Sequence, residues 1–378
     1  MTILTEEQTM LQDAARAWVA ERAQPAALRA VRTEYAETGY DPQLYVEMVE
    51  MGWTGVVVPE EYDGFAFGYT SFGLLVEELG RTLTASPLIS SALSAVTALV
   101  IGGSDKQKAT LLPALVAGET VMTLAIDEGS HHAPAQIALT AQPNGTGWSL
   151  TGTKRMVCEG MAADTLIVAA RTAGHPGDRH GITLFLCPVD ASGITRTALR
   201  QIDSRGAALI SFDGTALDAA AVLGTVNEGY ALLEQILDRS RAVLAAEMLG
   251  SAVQAFETTV DYLKTRVQFG KPIGAFQALQ HRATDMLAEI ELTRSAVYAA
   301  LQAIDEDAND IATLVSMAKA LAGKTLRHIA QEMVQMHGGI GMTDEHDAGL
   351  YLKRAHAADV TFGNIAFHRE RFASLAGF

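Results

Sequence analysis

The stretch RVQFGKPIGAFQ, from Arg266 to Gln277, separates two long patterns of helical periodicity. Pro272 and Gly274 end the first helix, because proline lacks a backbone N–H and glycine adopts the conformations that terminate helices. A cation, an amide, an aromatic ring and a turn therefore lie together at a helix connection. Such a corner could bind a diphosphate through Arg266 and pack a ligand ring on Phe269. An ordinary helix connection with a solvated arginine remains the alternative.

A second unusual stretch, QMHGGIGMT, runs from Gln335 to Thr343. Gly338, Gly339 and Gly341 fall within four positions, so the backbone can approach a ligand closely and present its N–H groups. This pattern is consistent with a phosphate or ribose cradle. Considered alone, a GGxG string more often indicates a simple loop between helices.

The rest of the sequence falls into three regions of different periodicity. Residues 4–118 have apolar residues at helical spacing, beginning after Thr5, a residue type that caps helix N-termini. Short β-type runs such as TLIVAAR and GITLFLCPV, separated by turn residues, occupy 121–223. Long helical patterns then return and are predicted at 230–267, 275–305, 310–336 and 347–373.

This order predicts a mainly α fold with a central β domain. We divide the chain into an N-terminal α-helical domain (1–120), a middle β domain (121–225) and a C-terminal helical bundle (226–378). Strands and helices do not alternate, which argues against a doubly wound parallel sheet. Within the β domain, Asn144–Gly145 and Thr151–Gly152 are predicted to be hairpin turns.

Charge and composition exclude several classes of function. The formal net charge of -16 repels nucleic acids and anionic membranes, so we predict no nucleic-acid partner. No apolar run is long enough to span a bilayer. The only cysteines, Cys158 and Cys187, are too few for a disulfide framework and too far apart in sequence for a metal clip, so no metal is expected. The first residues lack the features of signal and transit peptides, which predicts a cytoplasmic protein.

Taken together, the two motifs resemble the acyl-CoA dehydrogenase family in order and spacing. The resemblance covers nearly the whole chain and is closest to the subgroup of pimeloyl-CoA dehydrogenase small subunits and steroid side-chain acyl-CoA dehydrogenases. It implies an N-terminal helical domain, a middle β-barrel-like domain and a C-terminal four-helix bundle. The upstream segments that match are Leu4–Arg16, Gly52–Gly64 (GWTGVVVPEEYDG), Glu77–Arg81 (EELGR) and Gly103–Glu119.

The resemblance also implies FAD as the cofactor. In the family, the two motifs bind the FAD diphosphate and adenosine across a subunit interface. This implies a homotetramer or homodimer, or a heterotetramer with a second acyl-CoA dehydrogenase subunit. The implied FAD-binding residues are Arg266, Gln268, Phe269, Gln277, Gln335, Met336, Gly338, Gly339, Ser130, Val157 and Cys158.

Two loops depart from the family pattern. Where members read TEPGAGSD or similar, residues 126–132 read IDEGSHH, so Ser130 carries over and the adjacent histidines receive no role. Where many members read KMWITNG, residues 154–160 read KRMVCEG, without the tryptophan and threonine that usually touch the flavin. Backbone N–H groups at Val157 and Cys158 remain as substitutes, and we interpret Cys158 itself as a small packed residue.

The position of the catalytic base departs most from the family pattern. The family chemistry needs a carboxylate that removes the proton alpha to the thioester while hydride leaves the β carbon. In common members this Glu lies in a YEGT-like stretch, but Val360–Asn364 here reads VTFGN, with Phe362 at that position. A second family position, a Glu before an Arg in the first bundle helix, corresponds to Ser240. Both usual positions therefore lack a carboxylate.

Glu247 is the predicted base. Its neighbours three and four positions away are apolar or small, so a single acid interrupts an otherwise apolar helix face. The stretch RAVLAAEMLG also resembles the AAExxG segment of the subgroup, where a Glu is a proposed base. The alternative is a glutamate at a helix boundary that faces water. Asp238 and Asp359 are the reserve candidates.

The sequence therefore predicts FAD-dependent α,β-dehydrogenation of an acyl-CoA to the 2-enoyl-CoA. Glu247 would take the proton, and an electron-transfer flavoprotein would reoxidise the flavin. The alternative is a non-catalytic or half-site subunit that pairs with a catalytic partner in a hetero-oligomer. Oxidase chemistry on a substrate other than a CoA ester is a third possibility. The subgroup favours bulky or dicarboxylic acyl groups.

Overall fold

The computed structural model describes residues 4–378, and most of them are helical. The α-helices are α1 (Glu6–Arg22), α2 (Pro25–Glu34), α3 (Pro42–Glu50), α4 (Gly68–Arg81), α5 (Val96–Gly102), α6 (Asp105–Val116), α7 (Gly229–Thr265), α8 (Gln277–Asp305), α9 (Ile311–His337), α10 (Ala348–Val360) and α11 (Ile365–Ala376). A π-helical segment spans Leu88–Ala95. Short 3-10 helices span Trp53–Gly55, Glu60–Tyr62, Ala219–Ala221, Ile273–Ala275 and Gly338–Met342.

The strands lie between α6 and α7, apart from one small ladder further on. They are β1 (Met122–Ala125), β2 (Thr140–Asn144), β3 (Gly147–Cys158), β4 (Thr165–Arg171), β5 (Ile182–Pro188), β6 (Ile194–Arg200), β7 (Gly206–Leu217), β8 (Val222–Leu223), β9 (Val267–Gln268) and β10 (Lys271–Pro272). The predicted order of helices, strands and helices is therefore confirmed.

The chain divides into two compact units. The first consists of the described residues through Leu28, Tyr69–Thr84 and Arg241–Phe378, and the second of Arg29–Gly68 and Ala85–Ser240. Both units draw on separated stretches of sequence. The domain boundaries at 120/121 and 225/226 follow the periodicity of the sequence and stay a prediction.

The second unit contains an eight-stranded sheet in the order β6-β7-β3-β2-β4-β5-β8, with β1 parallel to β4. Strand β4 is buried over six of its seven residues, as is β5. Continuous apolar runs such as these suit strands covered on both faces. Side chains including Leu150, Val157 and Phe185 form the core of the sheet.

Local sequence signals explain several element ends. The Thr5 hydroxyl accepts the N–H of Gln8, and the Gln8 side chain accepts the N–H of Thr5, which forms the capping box at the start of α1. Helix α7 ends at Thr265, two residues before the predicted end at 267. The predicted hairpin at Asn144–Gly145 is also confirmed, because β2 and β3 pair on either side of it.

Two predictions about local structure were wrong. Thr151–Gly152 lies inside β3 instead of forming a turn, and the irregularity of the sequence there corresponds to a register shift against β7 between Leu150 and Thr151. The single helix predicted at 347–373 is two helices. Phe362 and Gly363 interrupt it with φ values of 57° and 108°, in the left-handed region that no α-helix contains.

Across residues 4–378, no helix has the length and apolar content needed to cross a membrane.

Candidate active site

Helices α4 and α7 of the first unit cross at two glycines. A Cβ atom on Gly80 would lie 2.1 Å from the carbonyl oxygen of Glu247, and one on Gly250 would lie 1.8 Å from the carbonyl oxygen of Glu77. The Ser251 hydroxyl donates to the Gly80 carbonyl at 2.7 Å. Because any larger residue would clash, the two glycines set the separation of the helices and thereby fix the backbone at Glu247.

The acids of the EELGR segment hold this crossing in place. Glu77 accepts hydrogen bonds from Arg294 Nη1 at 2.7 Å and from the Tyr298 hydroxyl at 2.9 Å. Burial raises the pKa of Glu77, while Arg294 opposes that rise. Glu78 accepts a hydrogen bond from Arg16 Nη2 at 2.8 Å. Both carboxylates are committed to neighbouring helices, which gives this family segment a structural role.

Glu247 lies in the interior of the first unit, with 3% of its surface exposed. Its Oε1 accepts a hydrogen bond from Arg354 Nε on α10 at 2.8 Å, and Arg354 is itself 6% exposed. A buried carboxylate is costly unless it is paired, so this ion pair keeps Glu247 charged in an apolar setting. The interpretation of Glu247 as a water-facing residue is wrong. Arg354 was missed, since a partner 107 positions away leaves no local signal.

The Ser240 position, in the second unit, holds a pair of hydroxyl groups. Ser240 Oγ lies 2.7 Å from Ser94 Oγ of the π-helical segment, and both side chains are fully buried. Ser240 Oγ also donates to the carbonyl of Ile236 at 2.9 Å. Hydroxyls satisfied in this way cannot replace a carboxylate as a proton acceptor at neutral pH.

The Phe362 position occupies the left-handed turn between α10 and α11. The Phe362 carbonyl accepts hydrogen bonds from Arg241 Nε at 3.1 Å and from His368 Nε2 at 3.2 Å. The Phe362 N–H has no hydrogen-bond partner within residues 4–378. The turn thus retains one unused backbone donor at the position where the family carries its base.

Lys319, on α9, donates hydrogen bonds to the same turn and to the end of α10. Its Nζ donates to the carbonyls of Ala358, Asp359 and Gly363 at 3.0, 3.1 and 3.1 Å. Burial lowers the pKa of Lys319 to about 7, with Asp359 opposing that shift. Three acceptors for three N–H protons favour the charged ammonium.

The reserve carboxylates have different settings. Asp359 Oδ1 accepts the N–H of Ile365 at 3.1 Å and so caps the start of α11. Asp238 lies on α7 in the second unit and is 5% exposed. Glu247, by contrast with Asp359, is held by an arginine from a different helix.

The segment after α7 is an open corner, as its composition suggested. Arg266, Gln268, Phe269 and Gln277 are all exposed, and Phe269 is 91% exposed with a φ of 54°. A Cβ atom on Gly270 would meet nothing within 4 Å. An exposed cation, two amides and an exposed aromatic ring, which contacts Phe276 edge-on, therefore lie beside Gly270.

The Gly-rich segment lies next to this corner. The Tyr262 ring, four residues before Arg266, packs on the His337 ring with centroids 4.3 Å apart. The following Gly338 and Gly339 are exposed, and a Cβ atom on either would meet nothing within 4 Å. The first unit therefore brings the two motifs together.

Two other predicted FAD-binding residues precede these glycines in the sequence. Gln335 is exposed, whereas the Met336 side chain is 6% exposed and packs inside the unit. Only the backbone of Met336 is therefore a candidate for ligand contact.

In the second unit, the loop after β1 is organised by its two acids. Asp127 Oδ2 lies 2.9 Å from His132 Nδ1, and Glu128 Oε1 accepts a hydrogen bond from Lys154 Nζ at 2.6 Å. Burial lowers the pKa of Lys154 to about 8, while Glu128 opposes the shift. Ser130 is left exposed at the tip of the loop.

The second predicted flavin segment lies at a bulge in β3. The register with β7 shifts between Lys154 and Val157, and Met156 adopts a φ of 52° with 46% of its surface exposed. The Val157 side chain is 1% exposed and belongs to the sheet core, so only its backbone could serve a ligand. Cys158 is half-buried, which agrees with its interpretation as a small packed residue. Bulges of this type often occur beside functional sites.

Each unit, taken by itself, offers a donor set that suits part of a dinucleotide cofactor. The first unit offers a cation, amides, an aromatic ring and glycines that no side chain shields, which suits a diphosphate and an adenosine. The second unit offers the Ser130 hydroxyl and the backbone of Val157 and Cys158 beside the bulge in β3. No group of three or more His, Cys, Asp or Glu side chains within residues 4–378 could hold a metal ion.

A separate cavity of about 380 Å³ lies in the first unit. Arg16, Arg81, Gln254, His346 and Tyr351 are among its lining residues, and it includes none of the predicted FAD or base residues. The cavity is therefore distinct from the predicted site.

Comparison with known proteins matches both helical regions. Residues 5–119 match the acyl-CoA dehydrogenase N-terminal domain, and residues 227–375 match the acyl-CoA dehydrogenase C-terminal domain. Acyl-CoA dehydrogenase IpdE2 of Mycobacterium tuberculosis is 32% identical over 93% of this chain and 92% of its own. The chain belongs to the acyl-CoA dehydrogenase family. This confirms the fold, FAD as the cofactor and α,β-dehydrogenation of an acyl-CoA as the reaction.

Solved acyl-CoA dehydrogenase structures agree with this assignment. A variant of the Tcur3481–Tcur3483 steroid ACAD is 32% identical, with a TM-score of 0.88 and 98% of each chain covered. The ChsE4–ChsE5 complex of Mycobacterium tuberculosis is 25% identical, with a TM-score of 0.89, and the match covers 100% of this chain and 99% of the other. The predicted resemblance to the steroid subgroup is confirmed. A non-catalytic role for this acyl-CoA dehydrogenase is not favoured.

Proposed function

We propose that this acyl-CoA dehydrogenase uses Glu247 as the base that removes the proton alpha to the thioester. The observation that carries the proposal is the buried ion pair with Arg354, because it holds a charged carboxylate ready to accept a proton where both usual base positions lack one. FAD, when bound, accepts the hydride that leaves the β carbon of the substrate. Proton transfer would neutralise Glu247 and leave the positive charge of Arg354 beside it.

The backbone of the α10–α11 turn supplies the second element of the reaction. The unused N–H of Phe362 would donate a hydrogen bond to the thioester carbonyl and stabilise the negative charge that develops there as the α proton leaves. A backbone donor needs no particular side chain, so this function would survive the replacement of the usual glutamate by Phe362.

Two sets of residues would hold FAD. Residues of the first unit would bind the diphosphate and adenosine of an FAD shared across a subunit interface, and Ser130 with the backbone of Val157 and Cys158 would contact a flavin. Exposure of the residues in the first set, except for the buried side chain of Met336, supports their role. That first set consists of Arg266, Gln268, Phe269, Gln277, Gln335, Met336, Gly338 and Gly339.

We further propose a bulky acyl-CoA of the steroid side-chain type as the substrate, with an electron-transfer flavoprotein as the electron acceptor. We infer that a partner subunit covers the exposed surface around Phe269, either a second copy of this chain or a second acyl-CoA dehydrogenase polypeptide. The similarity to the ChsE4–ChsE5 complex supports the second arrangement. A cytoplasmic location agrees with this chemistry.

Anaerobic titration of the purified protein tests the proposal. A yellow protein whose flavin is bleached by an acyl-CoA, and whose Glu247→Gln variant binds FAD but is not bleached, is the expected result. Undiminished bleaching in the variant would exclude Glu247 as the base. A colourless protein that gains flavin only with a second polypeptide would support the half-site alternative. Rapid peroxide production without an added acceptor would indicate an oxidase.

A further inference from the structure

The α10–α11 turn is held by hydrogen bonds from side chains on α9, α7 and α11. Lys319 of α9 uses all three of its N–H bonds on carbonyls of this turn and of the last turn of α10. A cation in this position also interacts favourably with the negative end of the α10 dipole. Lys319 is 1% exposed, so these bonds are shielded from bulk solvent.

Arg241 of α7 and His368 of α11 complete the arrangement. Both donate to the carbonyl of Phe362, which therefore has both of its lone pairs engaged. Both side chains are fully buried. Four carbonyls of the turn region are thus tied to fixed donors, while the N–H of Phe362 is left over.

We propose that Lys319, Arg241 and His368 form a hydrogen-bonding clamp that positions the Phe362 N–H for the thioester carbonyl. A left-handed conformation is strained for a bulky residue and persists only where its surroundings impose it. The three donors supply that constraint. The inference rests on the proposed function and assigns all three as positioning residues, since none of them is required to touch the substrate.

The charge around the clamp makes Lys319 sensitive to pH. Asp359 favours its charged form, whereas Arg241 and Arg354 oppose it, and Glu247 partly neutralises Arg354. His368 also faces the turn, through its bond to the Phe362 carbonyl. A neutral amine has only two N–H protons for three carbonyls. The clamp therefore loses a hydrogen bond when Lys319 loses its proton, at a pH near its pKa of about 7.

Anaerobic flavin reduction by an acyl-CoA tests the clamp in the FAD-loaded protein. Lys319→Met is expected to lower the rate constant of reduction by roughly 10- to 100-fold, the scale of a small misplacement at a reacting centre, while substrate affinity changes less than about threefold. His368→Phe, which removes one donor to Phe362, is expected to act in the same direction. Lys324→Met, an exposed lysine on the same helix, is the matched control.

The pH profile separates positioning from a general effect on folding. The rate of reduction in the wild type should fall as the pH rises above about 7, and this limb should be absent in Lys319→Met. Hydrogen exchange of amides 358–364 should be faster in Lys319→Met and unchanged in Lys324→Met. The proposal would be overturned if Lys319→Met and His368→Phe both showed the wild-type rate of flavin reduction and the wild-type rate of amide exchange.

Two further outcomes are decisive. If Lys319→Met does not fold, His368→Phe alone decides, and an unchanged rate constant with retained FAD rejects the clamp. If no acyl-CoA reduces the flavin of the wild type, the proposed function fails. In that case faster exchange confined to the turn still supports the clamp, and unchanged exchange rejects it.

Discussion

Arg354 Nε lies 2.8 Å from Glu247 Oε1 and joins α10 to α7 through a buried ion pair. On one side of this pair, α7 is fixed by its glycine crossing with α4. On the other side, α10 leads directly into the turn that carries Phe362. The same contact therefore connects the proposed base with the proposed carbonyl donor, and it gives the first prediction.

Replacement of Glu247 by glutamine should lower the rate of flavin reduction by about 10²- to 10⁴-fold, the contribution of a general base. The measurement is stopped-flow reduction at saturating acyl-CoA in protein with normal FAD content. Asp261→Asn, an exposed acid on the same helix, is the control and should leave the rate unchanged. A loss of less than about threefold in Glu247→Gln would assign the ion pair to structure alone.

Replacement of Arg354 by glutamine should shift the acid limb of the rate profile to higher pH. Removal of the neighbouring cation increases the proton affinity of the carboxylate, so more alkaline solution is needed to keep Glu247 ionised. Loss of this buried ion pair should also destabilise the fold by about 3–5 kcal/mol. Rate profiles and urea unfolding curves measure the two effects. An unshifted acid limb would contradict a catalytic role for Glu247.

A methyl group at Gly80 should loosen the α4–α7 crossing. A Cβ atom there would lie 2.1 Å from the carbonyl oxygen of Glu247, so Gly80→Ala should cost about 1–3 kcal/mol or more in stability. Gly349→Ala is the contrasting control, because its Cβ would meet nothing within 4 Å and alanine favours a helix by about 0.5–1 kcal/mol. Thermal unfolding of both variants should shift in opposite directions.

Arg266→Gln should weaken FAD binding while the fold is preserved. Loss of a charge-assisted hydrogen bond to a diphosphate is worth about 1.5–3 kcal/mol, or roughly 10- to 100-fold in the dissociation constant. Lys264→Gln, two residues earlier and 69% exposed, should bind FAD as the wild type does. Fluorescence titration of apoprotein with FAD measures both. Equal affinities would remove Arg266 from the FAD site.

Lys154 predicts a specific pH dependence of stability. Its pKa is lowered from 10.5 to about 8 in the folded protein. Between these values the unfolded chain binds more protons, so the contribution of Lys154 to the free energy of unfolding rises with pH across this window. Urea unfolding at several pH values should show a steeper rise in the wild type than in the Lys154→Met, Glu128→Gln double variant. Parallel curves would contradict the shift.

Much of the fold could be predicted because its signals are local. The Thr5 cap, the end of α7 before Arg266 and the change from helical to β-type periodicity after residue 120 each depend on a few adjacent residues. The break at Phe362 was missed, since a phenylalanine gives no sign that it adopts a left-handed conformation. The side chains that hydrogen-bond to this turn, Lys319, Arg241 and His368, come from elsewhere in the sequence.

The sequence by itself determined the family, the cofactor and the order of the elements, because the motifs around Arg266 and Gly338 are contiguous and their chemistry is readable in one dimension. Tertiary structure alone decided that Glu247 is buried against Arg354. It also decided that Lys319 donates hydrogen bonds to a turn some forty residues away. Desolvation and ion pairing depend on what surrounds a charge, and those surroundings exist only after distant helices pack.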